Sequence, residues 1–176
     1  MPIYAFTGHR PGRLGGYKDN PIRRSVIQFL RQMIHRVVYK YKTVGFVTGG
    51  ALGVDTWAAD LVLEAKRRAE GHGKYNIHLV LCLPSTDHGR NWREEDRRKL
   101  HAHMQSADFV NFVTQGPYDG PECLMRRNRY MVDRSDGLIA VWDGTPSGTG
   151  MIVSYAKERG VPVIAFHPNE KRIFVP

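Results

Sequence analysis

One grammar, used twice, constrains this chain more than any other feature. An apolar run ends in a glycine-rich loop that turns directly into an amphipathic stretch. "VGFVTGGALGVDTWAAD" occupies residues 44–60 and "GLIAVWDGTPSGTG" occupies 137–150. In the second, seven of the eight positions from Gly144 to Met151 are Gly, Thr, Ser or Pro. A simple turn needs only one or two such residues. A strand that feeds a helix through a tight loop is the repeating unit of parallel sheets, whose neighbours must be joined by crossovers.

The remaining sequence keeps the same beat. Apolar runs predict strands at 2–8, 43–49, 76–84, 108–113, 137–142 and 161–166. Three- and four-residue apolar spacing predicts helices at 21–41, 54–69, 91–105, 121–134 and 150–159. Ile22, Val26, Leu30, Met33, Val37 and Tyr41 form the clearest stripe. A short ending follows at "RIFVP". The expected class is α/β: a mostly parallel sheet with helices on both faces, in one domain spanning 1–176. Several strands are apolar throughout, as strands covered on both faces should be.

Composition narrows the partners. The 176 residues carry a net charge of +9, with 41% apolar and 24% charged residues. That balance favours a polyanionic partner: a nucleotide, phosphate or nucleic acid. Residues 21–42 hold Arg23, Arg24, Arg31, Arg36, Lys40 and Lys42 with no acid, either a solvated helix face or a binding face. Cys82 and Cys123 are far apart and suggest neither a disulfide framework nor a metal site, so a reducing cytoplasm is expected. The first strand begins at once, so no leader is expected, and no run is long enough to span a membrane.

Parallel strands place their C-terminal loops on one edge, where ligands of open α/β sheets bind. Four unusual loops fall there: "TGHRPGRLGGY" (7–17), "TGGALGVD" (48–55), "PSTDHGRNWR" (84–93) and "WDGTPSGTG" (142–150). Gly49, Gly50 and Gly53 permit either a phosphate cradle at a helix start or a tight turn with a cap. Ser147, Gly148, Thr149 and Gly150 add hydroxyls to backbone donors, and capping accounts for one hydroxyl only. Gly8, His9 and Arg10 end the first strand. Arg10 is either a bidentate phosphate grip or a surface arginine beside a turn histidine. Trp92 either stacks on a base or packs. Arg127 lies in "LMRRNRYMVDRSD" (124–136), its reach left open by sequence alone.

Other chemistries find less support. There is no HExxH, no Cys–His cluster and no GxSxG elbow, so no metal or cofactor is expected. The carboxylates near loops or helix starts are Asp55, Asp60, Asp87, Asp119, Glu122 and Asp143, and no two stand out as an acid–base pair.

"TGHRPGRLGGY", "TGGALGVDTWAAD", "NWREEDRRKL" and "RRNRYMVDRSDGLIAVWDGTPSGTG" together resemble the YpsA-like branch of the SLOG superfamily. That superfamily also holds DNA-processing protein A and the LOG nucleotide hydrolases. The resemblance covers about residues 3–166. It implies a modified Rossmann fold, a nucleotide or nucleotide-derived ligand, and a homodimer. The LOG pattern places its Arg on Arg127, its Met on Met131, its Asp on Asp136 and its Gly-Thr on Gly148 and Thr149. Its catalytic Glu falls on Ile152, which cannot activate water. The expectation is therefore a binding module, a sensor or sequestering protein, with contacts from Arg10, Asp55, Arg127 and both glycine loops. The alternatives are a LOG-like hydrolase of nucleotide N-glycosidic bonds, for which Glu122 or Asp143 would have to replace the missing Glu, and a single-stranded nucleic-acid binder using helix 21–42.

Overall fold

The structure is a computed structural model that describes residues 1–71 and 73–176. Strands and helices alternate: β1 (Ile3–Gly8), α1 (Pro21–Tyr41), β2 (Thr43–Thr48), α2 (Val54–Ala69), β3 (Asn76–Leu83) and α3 (Glu94–Ser106). Then come β4 (Phe109–Phe112), α4 (Pro121–Asp133), β5 (Gly137–Val141), α5 (Gly148–Glu158), β6 (Val163–His167) and β7 (Arg172–Phe174). A 3₁₀ turn, Pro11–Arg13, lies in the loop after β1.

The sheet runs β4-β3-β2-β1-β5-β6-β7. Every pairing is parallel except β6 with β7. This is a Rossmann-like α/β fold. The chain first builds outward from β1 to β4, then returns to add β5 on the other side of β1. Order reverses between β1 and β5, so their C-terminal loops splay apart there and open a crevice.

Strand alternation divides the core between the two faces. Phe6, Phe46, Leu79, Ile139 and Phe166 point to the side covered by α1 and α2. Ala5, Val47, Leu138, Ala140 and Ala165 point to the side covered by α4 and α5. Leu81 and Leu83 meet Leu100 of α3 in a smaller cluster. Of the stripe expected on α1, Val26, Leu30, Met33 and Val37 are buried, and Ile22 and Tyr41 at its two ends are partly buried.

Two local features set the loops at the crevice. Asn20 caps α1 by accepting the Arg23 amide at 2.9 Å. Gly8, the last residue of β1, lies directly against the start of α2. A methyl group there would sit 2.5 Å from Val54 Cγ2. Gly8→Ala should therefore destabilise the protein by about 1–3 kcal/mol through overpacking. Equilibrium denaturant unfolding should show that Val54→Ala recovers part of the loss in the double variant, although it is destabilising alone.

Candidate functional site at the strand-order reversal

The crevice is a cleft of about 510 Å³. Its walls come from the β1 loop (Gly8, His9, Arg10, Arg13), from α4 (Leu124, Met125, Arg127, Asn128) and from the start of α5 (Ser147, Gly148, Thr149, Met151). Ala51 and Asp55 complete it. Its size is that of a small-molecule site.

The cleft is built around one buried cation. The Arg127 side chain is 5% exposed, and its Nη1 lies 3.5 Å from Asp55 Oδ2. Nε and Nη1 are both sealed from solvent with no hydrogen-bond partner. A guanidinium holds five N–H donors, and buried donors without partners are costly. Burial lowers the Arg127 pKa and raises that of Asp55, and the attraction between the two opposes each shift. The arginine starts so high that it stays charged at neutral pH.

Gly49 makes this placement possible. A methyl group at residue 49 would sit 1.3 Å from Arg127 Nη1. The first glycine loop is thus no open phosphate cradle, contrary to one sequence expectation. Gly50, at φ +66°, is pressed against Leu83. Gly53, at φ +97°, is pressed against the His9 carbonyl and Pro11. Two of the loop amides are occupied as well: Ala51 N donates to Asp55 Oδ2 at 3.2 Å and Gly50 N to Thr48 Oγ1 at 3.2 Å. Asp55 therefore braces its own loop and faces Arg127. Gly49 and Gly50 accommodate the protein's own side chains, and Gly53 accommodates the loop after β1.

The second loop differs. Ser147 caps α5, its Oγ accepting the Gly150 amide at 3.0 Å. Among the described residues, the amides of Gly148 and Thr149 have no acceptor within the protein. Both residues line the cleft, at the positive end of the helix dipole. Gly150 does not line it; its Cα packs against Trp142 and the Thr145 carbonyl. Arg10 is exposed and lines the same cleft.

His9 has a structural role. It is 3% exposed, and its Nε2 donates to Asp143 Oδ1 at 2.9 Å. Arg13 Nη2 reaches Asp143 Oδ2 at 3.1 Å, and Thr145 donates to Oδ1 from both its hydroxyl and its amide. Asp143 so fastens the β1 loop to the β5 loop. Burial works to raise its pKa, but bonds from Thr145 and His9 overcome this and hold the carboxyl far below its usual value. His9 itself is pushed down by burial, despite the opposing pull of Asp143.

Sequence reasoning did not single out Arg13, nor Asp143 as a clamp; the only signal was a charged residue at each strand exit. Trp92 is half-buried beside Leu100 and meets His88 edge-on at 4.9 Å. It lies outside the main cleft, in an adjoining hollow. The residues matched to the LOG pattern separate. Ile152 and Met131 are core residues, and Asp136 accepts the Ile3 amide at 2.8 Å at the opposite end of the sheet. Glu122 is exposed and paired with Arg129. Among the described residues, no group of three or more His, Cys, Asp or Glu could hold a metal. No described helix is long and apolar enough to cross a membrane.

Fold and cleft together define an α/β protein with an anion-suited crevice at the strand-order reversal. The chain belongs to the YspA SLOG family, whose model matches residues 4–160. It is 29% identical over 163 residues to a UPF0398 protein of Halalkalibacterium halodurans, covering 90% of this chain and 82% of that one. A UPF0398 protein of Bacillus cereus is 29% identical over 165 residues, covering 91% and 85%. The fold is also similar to DNA processing protein A of Helicobacter pylori, with a TM-score of 0.60, 18% identity and 94% of this chain covered. The Streptococcus pneumoniae protein of that name gives 0.63, 16% and 95%. This chain spans 65% and 50% of those two chains.

Two outcomes follow from the charges. Asp143→Asn should cost about 1–3 kcal/mol at neutral pH. Because the folded-state pKa is depressed, that advantage of the wild type is present above about pH 4 and should shrink as pH falls below it, in unfolding curves at each pH. His88 is pushed down to about 4 by burial and by the nearby Arg127. Its imidazole should stay neutral through pH 5 in an NMR titration; a midpoint near the ordinary value of about 6.5 would contradict its placement.

Proposed function

We propose that the protein binds a nucleotide or nucleotide-derived small molecule through its phosphate, as a sensor or sequestering protein. One observation carries this reading: a buried guanidinium with sealed, unpartnered nitrogens forms part of a cleft that also receives the start of α5. A phosphate between Arg127, Arg10 and the Gly148 and Thr149 amides would meet two cations and a helix N-terminus. Such charge-assisted bonds are about twice as strong as neutral ones.

A hydrolase reading has weaker support. The position of the LOG glutamate is Ile152, packed in the core. Asp55 is the one carboxylate lining the cleft among the described residues, and it braces Arg127 and the Ala51 amide. Asp143 is saturated by three partners.

A nucleic acid as the source of the phosphate is a second reading. The Helicobacter pylori neighbour is described as binding single-stranded DNA. Helix α1 is a poor candidate for such contact, because Arg24 pairs with Asp19 and Arg31 with Glu64.

Mass spectrometry of small molecules retained through purification tests the main reading, with thermal shifts across a nucleotide panel. The wild type should retain or respond to a phosphate-bearing compound, and Arg127→Ala should lose at least about tenfold in affinity while keeping the wild-type circular dichroism. Gly49→Ala, which drives the guanidinium from its place, should lose binding likewise. If no nucleotide shifts the wild type and nothing is retained, the reading fails.

A further inference from the structure

Helices α1 and α2 cover the same face of the sheet, and the seam between them changes along its length. Toward the cleft it holds large residues, among them Phe29 and Leu30 of α1 and Trp57 and Val62 of α2. Toward its C-terminal end α2 offers only Ala65 and Ala69, one turn apart, and the seam opens into a groove of about 200 Å³. Its wall includes the apolar side chains of Ile34, Val38, Leu61 and Ile77. Both helices run back from the cleft edge of the sheet, so the groove lies at the opposite edge, beside the start of β3. A dry apolar cavity of about 150 Å³ already takes up benzene, so this groove has room for a whole leucine or phenylalanine side chain.

The rim of the groove is cationic. Arg31 of α1 and Arg68 of α2 meet at one carboxylate, Glu64, at 2.7 and 2.6 Å. One acid shared by two arginines leaves a net positive charge over the groove. Lys74 lies over the ring of Tyr75, another wall residue, at 5.3 Å. Tyr39 stands at the mouth, 72% exposed. Helix α1 carries Arg23, Arg24, Arg31, Arg36 and Lys40 and no acid at all. The acid-free run of the sequence therefore borders an apolar groove, which gains nothing from water. A second copy of this chain would bring a net charge of +9 to the same rim, so like charges oppose self-docking there.

We propose that this groove docks an acidic amphipathic helix of a partner protein. One large apolar side chain of that helix seats between Val38 of α1 and Ala65 and Ala69 of α2, and its carboxylates meet Arg31, Arg68 and Lys74. A gap between two neighbouring helices is the shape that a third helix fills with its apolar face. A buried apolar anchor supplies most of the affinity of such a contact. The cationic rim selects acidic over basic partners and speeds their arrival. The proposal is independent of the phosphate cleft. Asp55, in the first turn of α2, belongs to the cleft, whereas Ala65 and Ala69, near the other end of that helix, belong to the groove.

The test selects random peptides of about 16 residues, about 24 Å of helix, displayed on phage, against the full chain. Enriched peptides should carry Asp or Glu together with large apolar residues at three- and four-residue spacing. In fluorescence anisotropy, Ala65→Leu, which fills the groove, should weaken a selected peptide at least about tenfold. Arg68→Glu, at a side chain 73% exposed, should weaken it at least about fivefold and reduce its dependence on salt. Tyr39→Ala, at the exposed mouth, should cost at least about threefold. All three variants should keep the wild-type circular dichroism. Failure to enrich any peptide, enrichment of peptides without that pattern, or binding indifferent to Ala65→Leu or to Arg68→Glu overturns the proposal. A dimer in sedimentation that Ala65→Leu breaks, or binding to phosphatidylglycerol vesicles that it abolishes, puts a different occupant in the groove and overturns it too.

Discussion

Arg127 and Asp55 face one another at 3.5 Å inside the protein, beneath a residue that has no side chain to displace them. Removing two charges from water is expensive, and attraction compensates only with good geometry and further hydrogen bonds. Here the geometry is long, and two guanidinium nitrogens lack partners. Asp55 is better served, because the Ala51 amide reaches its carboxylate. The cation is the unsatisfied member of the pair. An anion entering the cleft would complete what the fold leaves open.

The surrounding architecture follows from that arrangement. Reversal of strand order between β1 and β5 opens the crevice, and α4 and α5 on one face supply the cation and a helix start. The loop after β2 makes room for the guanidinium. Helix α5, which follows the loop after β5, keeps its first two amides without an acceptor among the described residues. Asp143 binds the β1 loop to the β5 loop across the crevice through His9 and Arg13, so the walls cannot drift apart. Two loops with the same glycine grammar thus perform different tasks: one seats a side chain, and the other presents donors.

The layered fold was legible in the sequence because burial imposes periodicity. Helices α1 and α2 begin and end where their apolar stripes do. Helix α5 starts at Gly148 rather than 150, since Ser147 supplies the cap. Helix α3 starts at Glu94 rather than 91, since the Trp92 amide still closes a turn onto the Gly89 carbonyl. The convergence of loops at one edge was legible too. The task of Gly49, Gly50 and Gly53 was not. A glycine gives the same sequence signal whether the space it leaves admits a ligand or a neighbouring side chain. The occupant here, Arg127, lies more than seventy residues away, and only the tertiary fold brings it there.

The central claim is that Arg127 is an anion anchor held ready in the cleft. The most direct measurement is ¹⁵N NMR of the arginine side chains during titration with inorganic phosphate. The Arg127 Nε–H signal should move saturably as phosphate fills the cleft, while Arg24 and Arg31 change little. An Arg127 signal that stays put at phosphate levels that shift the surface arginines would contradict the account.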